Sequence, residues 1–214
     1  MDCLKGRILK LKNKALVILY PGFSLYEINC LTSYLTISLN EEESWLIETS
    51  ASSMKPVISE DYFSVNPTKS FDEVNINDYK LIILPGIIDY TKAIDDLVLI
   101  DFLSKLNTTN RPLIASISSS PILLAKAGLL NNVQFTAGLF EETIDEFPYL
   151  SSDQLTRTPV HFNKENQIIT AIGFAFREFA IETIKALNIE ISNNAFSGTL
   201  LKQYSKKELT YRMS

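Results

Sequence analysis

The feature that most constrains the fold is an apolar run ending in a Pro-Gly turn, which occurs twice. "KALVILYPG" (residues 14–22) and "YKLIILPG" (79–86) each place a compact aliphatic segment directly before Pro-Gly. Such runs are typical of strands buried on both faces of a sheet, and Pro-Gly indicates a turn where the strand ends. Both segments are therefore predicted to be central strands of one sheet.

Helical spacing follows each of these strands. A helix is predicted over residues 24–38, with Ser24 as its N-cap. Its apolar positions are Leu25, Ile28, Leu31 and Leu35. A second helix is predicted over residues 90–106, where the apolar positions are Ile94, Leu97, Ile100, Leu103 and Leu106. Strand, turn and helix thus alternate along the first half of the chain.

The rest of the chain continues this alternation. Further strands are predicted in "SWLIETS", "PLIASI", "TPVHF" and "QIITAIG", and further helices in "PILLAKAGLL" (closed by Gly128), "EETIDEF", "FREFAIETIKALNI" and a polar tail from Ser192. The short, proline-bounded segments "KPVISE" and "YFSVNP" predict an antiparallel excursion or an edge. Alternating strands and helices predict an α/β fold whose mostly parallel sheet has helices on both faces.

Length, charge and cysteine content narrow the function classes. The 214 residues suit one domain, 1–214, and a net charge of −5 opposes binding to nucleic acid or anionic membranes. The early basic residues are therefore read as solubilising; they are Lys5, Arg7, Lys10, Lys12 and Lys14. "ALVILY" is too short to span a membrane. Cys3 and Cys30 lack the spacing of a disulfide framework or zinc site, so we expect a cytoplasmic protein.

The turn after "PLIASI" carries the chemical signal. "SISSSP" has the form small, any, Ser, any, small, centred on Ser118, with Ser116 and Ser120 where a nucleophile elbow usually has glycines. A side chain held at such a turn points out from the sheet edge, beside free backbone N–H groups at the start of a helix. Ser118 is therefore the first candidate site residue.

Four motifs occur in order along the chain: "PGFSLYE", "LPGI", "SISSSPILLAKAGLL" and "QIITAIGFAFREFAIETIKAL". Together they resemble the ThiJ/PfpI family of the class I glutamine amidotransferase-like superfamily, from about residue 14 to 188. The resemblance implies a flavodoxin-like three-layer α/β sandwich, a helical tail over 189–214, a homodimer and a small-molecule ligand. No cofactor and no metal site is predicted.

The family's site residues are carried over by position. Its reactive cysteine falls on Ser118 and the glutamate of its first helix on Glu27. The histidine that many members have falls on Gly138, a pocket position like Gly86, and the second glycine of "PGG" on Ile87. The backbone N–H groups of Ile87 and Ser119 are the implied oxyanion donors.

The chemistry of the predicted site depends on a base. A serine hydroxyl, unlike a cysteine thiol, needs a general base to react. His161, the only histidine, is interpreted as a structural strand residue, and Cys30 as a small hydrophobe. Glu27 remains as the base, and it serves well only if burial raises its pKa toward neutrality.

Two functions follow, and a third is disfavoured. The favoured hypothesis is a protein with a degenerate nucleophile elbow, non-catalytic or with altered activity, that binds a small metabolite. The alternative is a serine-variant hydrolase, amidase or lyase of small carbonyl or amide compounds that uses Ser118 and Glu27. A transcriptional regulator is disfavoured because the chain is acidic and the tail after Ile191 is too short for a helix-turn-helix module.

Overall fold

The computed structural model describes residues 13–39, 45–198, 202–208 and 210. The strands, in chain order, are β1 (Asn13–Ile18), β2 (Trp45–Ala51), β3 (Val57–Ile58), β4 (Ser64–Val65), β5 (Lys69–Ser70), β6 (Leu81–Leu84), β7 (Leu113–Ile117), β8 (Val160–Asn163) and β9 (Ile168–Ala171). The α-helices are α1 (Asn29–Ser33), α2 (Thr91–Ile94), α3 (Leu97–Ser104), α4 (Pro121–Lys126), α5 (Glu141–Glu146) and α6 (Phe176–Ala186).

Seven of the strands in the described residues form one sheet with the order β5-β2-β1-β6-β7-β9-β8. All neighbours are parallel except β8, which runs antiparallel to β9. Strand β2 lies on one side of β1, and β6, which comes later in the chain, lies on its other side. The strand order therefore reverses direction between β1 and β6, which makes this position a topological switch point. Loops at the carboxyl ends of strands around such a point are where open α/β sheets bind ligands.

The sheet is covered on both faces. Helix α1 packs with α6, while α2 and α3 pack with α4. The strands at the centre of the sheet are fully buried over most of their length, as their continuous aliphatic runs predicted. The prediction of a flavodoxin-like α/β sandwich with a mostly parallel sheet is confirmed.

The helix predicted over residues 24–38 is wrong at its start. The α-helix begins at Asn29, continues as a π-helix over Tyr34–Ser38, and has Ile28 rather than Ser24 at its N-cap. Ser24 instead donates its backbone N–H to the carbonyl oxygen of Gly86, at 2.9 Å. This bond holds residues 24–28 against the turn after β6. These residues therefore form a turn and not the first part of the helix.

The helix predicted over residues 90–106 is two helices. Asp96 begins the second one, because its side chain accepts hydrogen bonds from the backbone N–H groups of Val98 and Leu99 at 3.0 and 3.1 Å. Because a new helix begins at this cap, the apolar spacing predicted for one long helix does not continue across it. Leu97, predicted on the apolar face, is 74% exposed. The polar side chain at the cap outweighed the apolar periodicity.

The middle segment contains the predicted antiparallel excursion. Strands β3 and β4 pair antiparallel in a separate two-stranded sheet, and the short edge strand β5 that follows was not predicted. The hairpin is fastened to the turn after β1, where Gly22 donates its N–H to Ile58 at 2.8 Å and Glu60 donates its own to Phe23 at 3.0 Å. The excursion therefore reaches the carboxyl edge of the sheet.

The predicted polar helix at the end of the chain is wrong for the part that is described. Residues 192–198, 202–208 and 210 contain only turns, bends and irregular backbone. The basic residues Lys5, Arg7, Lys10 and Lys12 lie outside the described residues. None of the helices in the described ranges is long and apolar enough to cross a membrane.

Buried serines brace the turn after β7. The single hydroxyl hydrogen of Ser120 is shared between the carbonyl oxygens of Leu84 at 3.0 Å and Ile117 at 2.8 Å, and the Ser120 oxygen lies 2.7 Å from the Ser116 hydroxyl. Its oxygen also accepts the Ile117 backbone N–H at 3.1 Å. One fully buried hydroxyl thus joins the ends of β6 and β7.

Replacing this hydroxyl should destabilise the protein. We expect Ser120→Ala to lower the free energy of unfolding by about 1–3 kcal/mol, because buried backbone groups lose a partner. Urea denaturation checks this, with the exposed Ser53→Ala as the matched control. Equal stability of the two variants would contradict the bracing role.

Candidate active site

Ser118 lies at the tip of the turn between β7 and α4 in a backbone conformation that non-glycine residues rarely adopt. Its φ is 63°, in the left-handed region. Such a conformation costs about 1 kcal/mol or more and persists only where the surroundings fix it. Here the Ser118 N–H donates to Ala171 at 2.8 Å and its carbonyl accepts from Gly138 at 2.7 Å. The strain is characteristic of a nucleophile elbow.

Glu27 approaches Ser118 from the turn after β1. Its side chain is half-buried, and its Oε2 atom is buried against the backbone of Gly86. Burial raises the pKa of Glu27 to about 7. Hydrogen bonding from the Ser118 hydroxyl opposes this rise, the carboxylate of Glu60 adds to it, and hydrogen bonding from the Gly86 backbone opposes it. A carboxyl group with this pKa is available both as an acid and as a base near neutral pH.

Two glycines allow this close approach. A Cβ atom on Gly86 would overlap Glu27 Oε2 and lie 2.7 Å from Ser118 Cβ. A Cβ on Gly173 would lie 2.5 Å from Glu27 Oε1 and 3.0 Å from Ser118 Oγ. The carboxyl and the hydroxyl therefore converge in a cradle between the loops after β6 and β9.

Gly138, the other predicted pocket residue, contacts the backbone of Ser118 instead of its side chain. A Cβ atom there would lie 3.4 Å from the Ser118 carbonyl carbon. Gly173 was not predicted as a site residue, although a glycine at the end of a predicted buried strand, in "QIITAIG", is a usable signal. Tyr20 was not predicted either; its hydroxyl donates to the Pro85 carbonyl and so fixes the loop before Gly86.

The backbone N–H groups of Ile87 and Ser119 donate no hydrogen bond within the described residues. The Ser119 hydroxyl donates to the Ile87 carbonyl at 2.5 Å, which joins the two segments. The Ile87 side chain is buried, with its Cγ2 3.9 Å from where a Cβ of Gly22 would lie. Two free donors beside Ser118 suit an oxyanion site, and the predicted role of Ile87 and Ser119 stays a prediction.

His161 and Cys30 lie outside the cradle. His161 is on the edge strand β8, paired with Thr170 of β9, so β9 separates it from the strand that leads to Ser118. Burial lowers its pKa. Cys30, on α1, is half-buried rather than fully buried and packs partly on the core; burial raises the pKa of its thiol, opposed by Arg177. No cluster of metal-ligating side chains occurs among the residues described.

The mostly parallel sheet with helices on both faces places this chain in the class of flavodoxin-like α/β sandwich proteins. The model of the DJ-1/PfpI family matches residues 13–186, and the chain belongs to that family. An uncharacterized protease, YoaZ of Bacillus subtilis, is 28% identical over 152 residues, which are 70% of each chain.

Solved structures show the same fold. The DJ-1 superfamily protein Atu0886 from Agrobacterium tumefaciens has a TM-score of 0.71 at 22% identity, covering 83% of this chain and 91% of its own. A ThiJ/PfpI family protein from Bacillus anthracis has a TM-score of 0.68 at 21% identity, covering 83% and 84%. At these identities the likeness extends to the fold alone.

The pKa of Glu27 predicts a pH-dependent stability. The folded-state value of about 7 lies above the ordinary value of 4.5, so the contribution of the neutral carboxyl is complete below about pH 4.5 and is lost as the pH rises through about 7. Glu27→Gln should therefore be more stable than the wild type at pH 8, by about 1 kcal/mol once solvent screening of this half-buried group is allowed for. Chemical denaturation at pH 4.5 and pH 8 measures this difference.

The exposed Glu142→Gln is the control, and it should show the same pH dependence as the wild type. A Glu27→Gln variant whose stability follows the wild type at both pH values would mean that Glu27 is not a buried, destabilised carboxylate.

Proposed function

We propose that the cradle between Glu27 and Ser118 binds a small carbonyl or amide compound. One observation carries the proposal: the backbone N–H groups of Ile87 and Ser119, beside Ser118, donate no hydrogen bond within the described residues. An N–H group without an acceptor is costly once water is removed from it, and a ligand carbonyl oxygen that accepts from it removes that cost. The Glu27 carboxyl lies in the same cradle, where it can accept from an amide N–H or, when neutral, donate to a carbonyl oxygen.

In this proposal, Ser118 stands at the position of the family's reactive cysteine. Loss of a cysteine and of the histidine, replaced by Gly138, removes the family's thiolate chemistry while leaving the cradle in place. Binding without turnover, or with altered chemistry, is the simplest activity for such a site. A homodimer in the cytoplasm is part of this proposal, on the strength of the family resemblance.

A second candidate function is hydrolysis, favoured by the left-handed φ of Ser118 beside a carboxyl with a pKa of about 7. In this reaction the Glu27 carboxylate takes the Ser118 proton while Oγ forms a bond to the carbonyl carbon, whose oxygen becomes the anion bound by Ile87 and Ser119. Glu27 then returns the proton to the leaving group as its bond to carbon breaks. Glu27 then takes a proton from a water molecule as the water oxygen bonds to the acyl carbon, and it passes this proton to Ser118 Oγ as the bond between Oγ and the acyl carbon breaks.

Blocking the cradle tests the binding proposal. We expect Gly173→Ala to weaken propionamide binding by about tenfold, because its methyl group displaces the Glu27 carboxyl. Titration followed by protein NMR measures the affinity. Gly198→Ala is the matched control, since nothing lies within 4 Å of the added Cβ. Unchanged affinity in Gly173→Ala would contradict binding in the cradle.

A fluorophosphonate probe separates the two candidates. If hydrolysis is correct, the intact mass should show one adduct that is absent in Ser118→Ala and forms at least about tenfold more slowly in Glu27→Gln, which lacks the base. The labelling rate should rise with pH through about 7 as the Glu27 carboxyl ionises. An unlabelled wild type would contradict hydrolysis and favour the binding protein.

A further inference from the structure

The hairpin of β3 and β4 brings Glu60 to the turn that contains Glu27. Glu60 lies in the turn between the two strands, and its backbone N–H donates to the Phe23 carbonyl at 3.0 Å. The preceding residue, Ser59, forms a parallel bridge with Phe23. Phe23 precedes Glu27 by four residues in the same turn. The position of Glu60 relative to Glu27 is therefore fixed by backbone bonds rather than by a free loop.

The two carboxyl groups interact electrostatically. Glu60 is one of the groups that raise the pKa of Glu27, as a like charge close to a partly buried acid does. Neither carboxyl forms an ion pair in the part of the chain that is described. The site therefore contains two carboxyl groups, and neither has a basic side chain within ion-pair distance in that part.

We propose that Glu60 is a specificity-determining residue, and that the site selects carbonyl or amide compounds that also carry an ammonium group. This inference rests on the proposed function, since it names the class of ligand for the same site. The carbonyl oxygen would accept from Ile87 and Ser119, and the ammonium group would face Glu27 and Glu60. An anionic ligand of the same size would be repelled by both carboxylates.

Three amides with the same N-ethylacetamide skeleton test the charge preference. They are N-acetylethylenediamine (cationic), N-propylacetamide (neutral) and N-acetyl-β-alanine (anionic). At pH 8 and low salt, the cation should bind about fivefold more tightly than the neutral amide, and the anion about fivefold more weakly, because the charges lie near a partly desolvated site. Affinities are measured by NMR titration of the wild-type protein.

Two variants assign the preference to one residue. Glu60→Gln keeps the shape of the side chain and should remove most of the difference between the three amides. Asp61→Asn removes the same charge from the adjacent, exposed position and should leave the difference unchanged. Raising the salt concentration should reduce the preference of the wild type, a measurement that needs no variant.

Each opposing result overturns a defined part of the inference. Equal affinities in the wild type, or tightest binding of the anion, would overturn the charge preference while leaving the binding proposal intact. An equal loss of preference in Asp61→Asn would assign the effect to the overall charge of the protein and overturn the role of Glu60. Failure of all three amides to bind would contradict the proposed function and this inference with it.

Discussion

The backbone hydrogen bonds on either side of Ser118 are the constraint on which the site depends. The N–H group bonds to Ala171 at the end of β9, and the carbonyl bonds to the loop of Gly138. These two bonds hold a strained residue in place and bring the loops after β7 and β9 together. The buried hydroxyl of Ser120 adds the end of β6. The sheet therefore supplies the rigidity that a strained turn requires.

The properties of Glu27 follow from this arrangement. Its carboxyl group fits beside Ser118 because Gly86 and Gly173 have no side chains, and the same close packing removes water from Oε2. Desolvation raises its pKa, and the carboxylate of Glu60 on the hairpin adds to the effect. The same contacts therefore determine both the space available to the Glu27 carboxyl group and its pKa, so a change to either glycine alters both.

Sequence patterns predicted what depends on local chemistry. The aliphatic runs gave the buried strands, and the motif order around Ser118 gave the fold and family. The start of the helix at Asn29 and the approach of Glu60 depend on contacts between distant segments, such as the bond from Ser24 to Gly86. The break at Asp96 depends instead on a local cap, in which the Asp96 side chain accepts from the N–H groups of Val98 and Leu99. Apolar spacing contains no information about these bonds. The sequence likewise shows a glycine at position 173 but does not indicate that it lies beside Glu27.

The convergence of Glu27, Gly86, Ser118 and Gly173 has a consequence for how the chain folds. These residues follow β1, β6, β7 and β9, so the cradle exists only after segments almost 150 positions apart have assembled. No single hairpin or βαβ unit contains it, and contacts of such long sequence separation are slow to form. The titration of the Glu27 carboxyl is consequently a marker of completed assembly: a partly folded chain, however rich in helix and strand, leaves this group with the acidity of an exposed glutamate.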